Sequence, residues 1–205
     1  MKKLMFLVAL ALFAITAFGQ TDPTTPTVPE KLAKAEKYIK TVDELIEKRG
    51  KPDIVIADAS DYTDSDEPKW KTYPTTEAAD EEDLYTIAYV WKSKGRVVAI
   101  NLTYSSPSGD WAQYVSYTFY RNGQVAKVDR ELRTFMDDMI LNRIKYFDES
   151  GKIVKETTEF FDLASKEPIP AKKDFMDIDV DIYESLDKFP FASLLGKKKQ
   201  SKASK

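Results

Sequence analysis

The sequence contains no cysteine and no histidine among its 205 residues. Without cysteine there is no disulfide, so packing alone must hold the domain, unlike small exported scaffolds stapled by sulfur. Without histidine the usual zinc and copper ligands are missing, and so are the Ser-His-Asp triad and the Cys-His dyad. Glycine is also sparse, at seven residues, so each one marks a place where the backbone needs it. No Gly-rich phosphate loop and no Ser-x-x-Lys motif occurs. Basic excess is absent too: the net charge is −3, which argues against general nucleic-acid binding.

What is present is a rhythm of turns between Leu84 and Phe161. Gly95, Gly109, Gly123, Asp137 and Gly151 recur at a fixed interval, one strand plus one turn long. Gly95, Gly123 and Gly151 share a context: an aromatic residue a few positions before, then a polar residue and a β-branched one after. This predicts consecutive antiparallel hairpins. The six strands expected are 84–91, 97–104, 112–120, 125–133, 139–147 and 153–161. Asn122-Gly123 reads as a two-residue type I′ turn. That turn would set Phe119 against Ala126, Tyr117 against Val128 and Val115 against Arg130. Ile54 to Ala57 reads as a further strand.

Upstream, Leu32, Ala35, Ile39, Val42 and Ile46 form one apolar stripe at helical spacing. Pro29 and Gly50 bracket a helix over 30–49. The fold class expected is therefore α+β: an N-terminal helix packed on an antiparallel meander of six to eight strands, able to curl into a partial barrel. Residues 30–196 form the single domain. Before it, residues 1–19 read as a cleavable signal peptide, with Lys2 and Lys3 ahead of an uncharged run from Leu4 to Phe18. That run falls short of the ~20 residues of a membrane span, so no transmembrane span is expected in the mature chain. Residues 20–29 read as a Thr/Pro-rich linker, and 197–205 as a basic disordered tail. The location expected is secreted or periplasmic.

Two candidate sites emerge. Tyrosine and phenylalanine number 11 each, and Tyr85, Tyr89, Trp91, Tyr114 and Tyr120 fall on faces that the hairpin pairing does not bury. Open aromatic faces bind sugars, peptides or lipids; alternatively, the helix covers them. Asp58, Asp61, Asp64 and Asp66 cluster in an acidic stretch that could hold a cation, though without calcium-loop spacing. From Phe175 to Tyr183 the chain alternates, with Ile178, Val180 and Ile182 on one side and Asp177, Asp179 and Asp181 on the other. This reads as an edge strand guarded by charge, or as a collector of a cation or a basic partner.

The segments from Tyr146 to Glu156 and from Phe119 to Val125 resemble the hairpin repeats of bacterial surface and secreted proteins, the MORN-like and tyrosine–aspartate repeat groups. The resemblance implies a non-catalytic β scaffold and assigns no functional residue. The function expected is an exported, non-catalytic binding or structural module of the cell envelope. The alternatives are a carrier of an apolar ligand in a curled sheet, or a carboxylate-dependent hydrolase. No cofactor is expected. The expected partner is an envelope protein, a glycan or a lipid.

Overall fold

The computed structural model describes residues 26–60 and 67–196. The signal peptide, residues 20–25 of the linker, Asp61, Asp64, Asp66 and the lysine-rich 197–205 lie outside the described residues. Helix α1 spans Val28–Arg49, two residues longer at its start than the stripe predicts. The reason is Thr27. Its hydroxyl accepts from the Glu30 amide, and the Glu30 carboxylate accepts from the Thr27 amide at 2.7 Å, so a capping box starts the helix before Pro29. Gly50, at φ 68°, ends it.

Among the described residues eight strands form one antiparallel sheet: β1 Ile54–Asp58, β2 Trp70–Tyr73, β3 Thr86–Ser93, β4 Arg96–Ser105, β5 Trp111–Phe119, β6 Val125–Thr134, β7 Met139–Phe147 and β8 Ile153–Asp162. Their order is β2-β1-β3-β4-β5-β6-β7-β8, and the sheet is open, with β2 and β8 at its edges. Short helices α2 (Thr76–Asp80) and α3 (Ala192–Leu195) complete the fold.

The repeat has a structural cause finer than its turns. Each of three hairpins carries one bulge, where two residues oppose one. Register shifts leave Val98, Ala126 and Val154 as the extra residues, all three at the same offset from their turn glycine. Tyr117 pairs with Val128 and Val115 with Arg130, as the pattern predicts. Phe119, however, pairs with Val125 rather than Ala126, because the bulge at Ala126 moves the register by one. The Asn122-Gly123 turn is correspondingly longer than a two-residue type I′ turn. Tyr120 N–H donates to the Gln124 carbonyl, Gly123 N–H donates to the Tyr120 carbonyl, and of the two only Gly123 has positive φ, at 85°. The same bonds recur around Asp148 and Gly151. The two-residue turn with positive φ at both positions is Lys94-Gly95.

One face of the sheet carries the main core: Ile56, Ala88, Val90, Ile100, Leu102, Val115, Tyr117 and Phe119, each almost fully buried. The chain after β8 covers that face. Phe175 to Tyr183 is not an edge strand there; it lies as an extended strap across the face, outside the ladder. An extended backbone alternates its side chains whether or not it pairs, so the period-2 pattern survives without a strand. Ile178 and Val180 turn toward the sheet, while Ile182 is left 40% exposed. Asp177 meets basic partners of its own chain, Arg130 at 2.8 Å and Arg143 at 2.6 Å. Further on, Phe189 and Phe191 enter the core, with Phe189 edge-on to Tyr117 and Phe191 against Trp70. Fully burying such a side chain stabilises by about 1.5–3 kcal/mol.

The other face is covered in two places. Near β1 and β3, α2 closes over Val55, Ala57, Tyr73, Ile87 and Tyr89. Toward the turn end of β6, β7 and β8 lies α1. Between them runs a charged ladder, with Lys127 beside Asp129 and Glu131 beside Arg133.

Candidate functional site

Helix α1 crosses the three bulged hairpins at their turn end. Its first turns meet the Gly151 hairpin: Lys31 Nζ donates to Asp148 at 2.9 Å and Lys34 Nζ to Glu149 at 3.1 Å. Its middle meets the Gly123 hairpin through Tyr38, whose hydroxyl donates to the Phe119 carbonyl at 2.8 Å. Its last residue meets the Gly95 hairpin, where the Arg49 guanidinium donates to the Lys92 carbonyl. From Lys31 to Arg49 the helix rises about 27 Å. Three neighbouring hairpins span about 19 Å between the first and last. The helix is therefore long enough to cross all three.

Asp148 anchors this arrangement. It is buried, and it accepts from Ser150, from Lys31 and from the Lys152 amide. The Ser150 hydroxyl and the other donors hold its carboxyl well below the usual carboxylate range. Next to it, Tyr120 is 5% exposed and donates to the Phe147 carbonyl at 2.8 Å. Burial, with the nearby Glu149 and Asp148 charges, pushes its phenol up to about 12. The Tyr38 and Tyr120 rings sit 5.1 Å apart.

The packing is tight at the first two hairpins and looser toward the third turn of contact. Between the C-terminal half of α1 and the Gly95 and Gly123 turns lies a cleft of about 320 Å³. Its apolar lining comes from Tyr38, Val42, Leu45, Val97, Tyr120 and the bulged Val98. Three cations also line it: Lys94, Arg96 and Arg121, all exposed. Among the described residues none of the three is in an ion pair.

The five aromatic residues singled out from the sequence do not form one platform. Tyr120 is in the wall of this cleft. Tyr89 packs in the small core closed by α2. Trp91 is half-buried on β3, with its indole nitrogen lacking a hydrogen-bond partner among the described residues. Tyr114 stands in the charged ladder, with the Arg133 guanidinium 4.9 Å from its ring centre. Tyr85 lines a second cleft of about 220 Å³ with Tyr104, Trp111, Asp58 and Asp83. Asp58 spends one carboxylate oxygen on its own loop, accepting from the Ser60 and Lys69 amides. Among the described residues no group of three or more acidic side chains is gathered to hold a metal, and no helix is long and apolar enough to cross a membrane.

The residues that sequence reasoning missed are Tyr38, Lys94, Arg96, Arg121, Leu45 and Val98. A signal existed for some of them. Arg96 and Arg121 flank glycines that the repeat places at one end of the sheet, so their convergence is implied once the repeat is mapped onto hairpins. Compared with known proteins, the chain matches no family model, no curated protein and no solved structure.

Proposed function

We propose that the protein is an exported, non-catalytic binding module of the cell envelope, and that α1 and the hairpin turns form its binding end. The observation that carries this reading is the contrast in cover. The chain's own strap fills one face with Phe189, Phe191 and Leu195, while the α1 end keeps a cleft with an apolar wall and a cationic lining. Ligand sites have this character, mostly apolar with a few placed polar groups. The leader read from residues 1–19 supports a secreted or periplasmic location.

A carrier reading with the ligand inside the curled sheet is disfavoured, because strap side chains already occupy that face. A hydrolase reading needs paired acid and base groups at a cleft; the α1 cleft is lined by cations, hydroxyls and apolar groups, and in the Tyr85 cleft, which has both Asp58 and Asp83, Asp58 is engaged by the amides of its own loop. Native mass spectrometry of the protein purified from its host tests the binding reading. A small-molecule adduct that is released on denaturation is the expected result. A bare protein mass, together with no thermal shift across a panel of amphiphiles and glycans, would overturn it.

A further inference from the structure

We propose that the cleft under α1 takes a single-chain amphipathic carboxylate. The apolar body lies along Tyr38, Val42, Leu45 and Val98, and the carboxylate lies at Arg96 and Arg121. This rests on the binding reading above and names its ligand class.

Three observations support it. The first is charge without a partner. The α1 cations that meet the hairpins and the loop before β1 are paired: Lys31 with Asp148, Lys34 with Glu149, and Arg49 with Asp53. The cations of the cleft are not, among the described residues. Arg96 and Arg121 come from two adjacent hairpin turns, and both line the same cleft. Unpaired guanidinium groups at the mouth of one cleft suit a carboxylate, which the planar fork can meet with two bonds.

The second observation is the shape of the apolar lining. The β3–β4 bulge leaves Val98 without a cross-strand partner and delivers it to the cleft wall. At the next hairpin the equivalent bulged residue, Ala126, is sealed under Ala35 and Ile39. The helix therefore closes on one bulge and stands off the other. The stand-off is where the ligand body fits.

The third is size. Ligand clefts run from about 300 to 1,000 Å³, and this one, at about 320 Å³, is at the small end. It suits one chain or one ring system, and is too small for a two-chain phospholipid.

The test is isothermal titration of the mature protein with decanoate, decanol and decyltrimethylammonium, each below its micelle concentration, and with vesicles of anionic phospholipid. Decanoate should bind saturably at one site per chain. Decanol should bind at least about tenfold more weakly, the loss expected for one charge-assisted bond, and the cation should not bind. The double variant Arg96→Ala/Arg121→Ala should lose about tenfold or more of decanoate affinity while its decanol affinity stays the same. Both residues are exposed, and an unchanged urea midpoint checks that the fold is intact. Leu45→Asp should abolish decanoate binding by placing a like charge in the cleft. Equal affinity for decanol and decanoate would overturn the proposal, as would wild-type behaviour of the double variant. Binding to vesicles but not to decanoate would also overturn it. A neutral adduct in the native mass spectrum would overturn this ligand class and leave the binding module standing; a bare mass together with no thermal shift and no decanoate binding would overturn both.

Discussion

The two faces of the sheet are covered by different kinds of chain. On one, an irregular strap from Phe175 onward packs aromatic side chains on the sheet and leaves the core residues beneath it almost unexposed. On the other, a regular helix crosses the hairpin ends, buries only Ala35, Ile39 and Val42 fully, and leaves a cleft along its second half. A helix is a stiff cylinder and cannot follow a bulged, twisted sheet everywhere. An extended strap adjusts residue by residue and can. The difference assigns stability to the strap and opportunity to the helix.

Changes in the strap should cost most. Phe191 is 1% exposed and packs on Trp70, so Phe191→Ala should lower stability by about 3–5 kcal/mol, read as a fall in urea midpoint. Arg130 comes next. It is 6% exposed and donates to Gln113, to the Ile178 carbonyl and to Asp177, tying the strap to the sheet. Arg130→Met keeps much of the volume but strands the Gln113 Oε1 and removes one of the two cations on Asp177, while the Ile178 carbonyl keeps only the Gln113 amide. The expected loss is about 2–3 kcal/mol, the cost of leaving buried polar groups without partners.

The helix side should respond more mildly. Tyr120→Phe removes the donor to the Phe147 carbonyl under α1, for a loss of about 1–2 kcal/mol by chemical denaturation. A loss equal to that of Phe191→Ala would break the comparison. The smallest effect concerns pH. The Asp148 carboxyl is depressed in the folded state. Its contribution is therefore fully present above the unfolded value near 4 and is lost as pH falls below it. In Asp148→Asn the slope of stability against pH below about 4 should flatten, and neutral-pH stability should fall slightly. An unchanged acid limb would show that Lys31 and the turn amides do not hold this group.

Much of the sheet was legible because turns interrupt it at even intervals. Strands β1, β6, β7 and β8 begin at the predicted residues, and β3, β4 and β5 lie within two residues of their expected bounds. Three parts were not legible, each for a physical reason. Strand β2 is only Trp70–Tyr73 and is set between Pro68 and Pro74, too short for its alternation to show. The strap copies the alternation of a strand because both are extended. The bulges change register by one residue, which no hydrophobic pattern reports until pairing is seen. Gly109, in the loop between β4 and β5, has φ 76° and so favours glycine as Gly123 does. Of the candidate site, Tyr120 and Val42 were singled out in the sequence and Arg96 and Arg121 are implied by the repeat, but their meeting was not legible, since the cleft exists only where α1 and two turns meet.

Chemical labelling of tyrosines on one strand tests the contrast of faces most directly. Tyr114 and Tyr117 are three residues apart on β5 and point to opposite faces. Tyr114 is half-buried in the open ladder, whereas Tyr117 is 1% exposed beneath the strap, with Phe189 against its ring. Tetranitromethane treatment of the folded protein, followed by peptide mapping, should modify Tyr114 and spare Tyr117. Denaturant should then make the two equal. Equal modification in the folded protein would contradict a sealed face, and with it the assignment of binding to the α1 end.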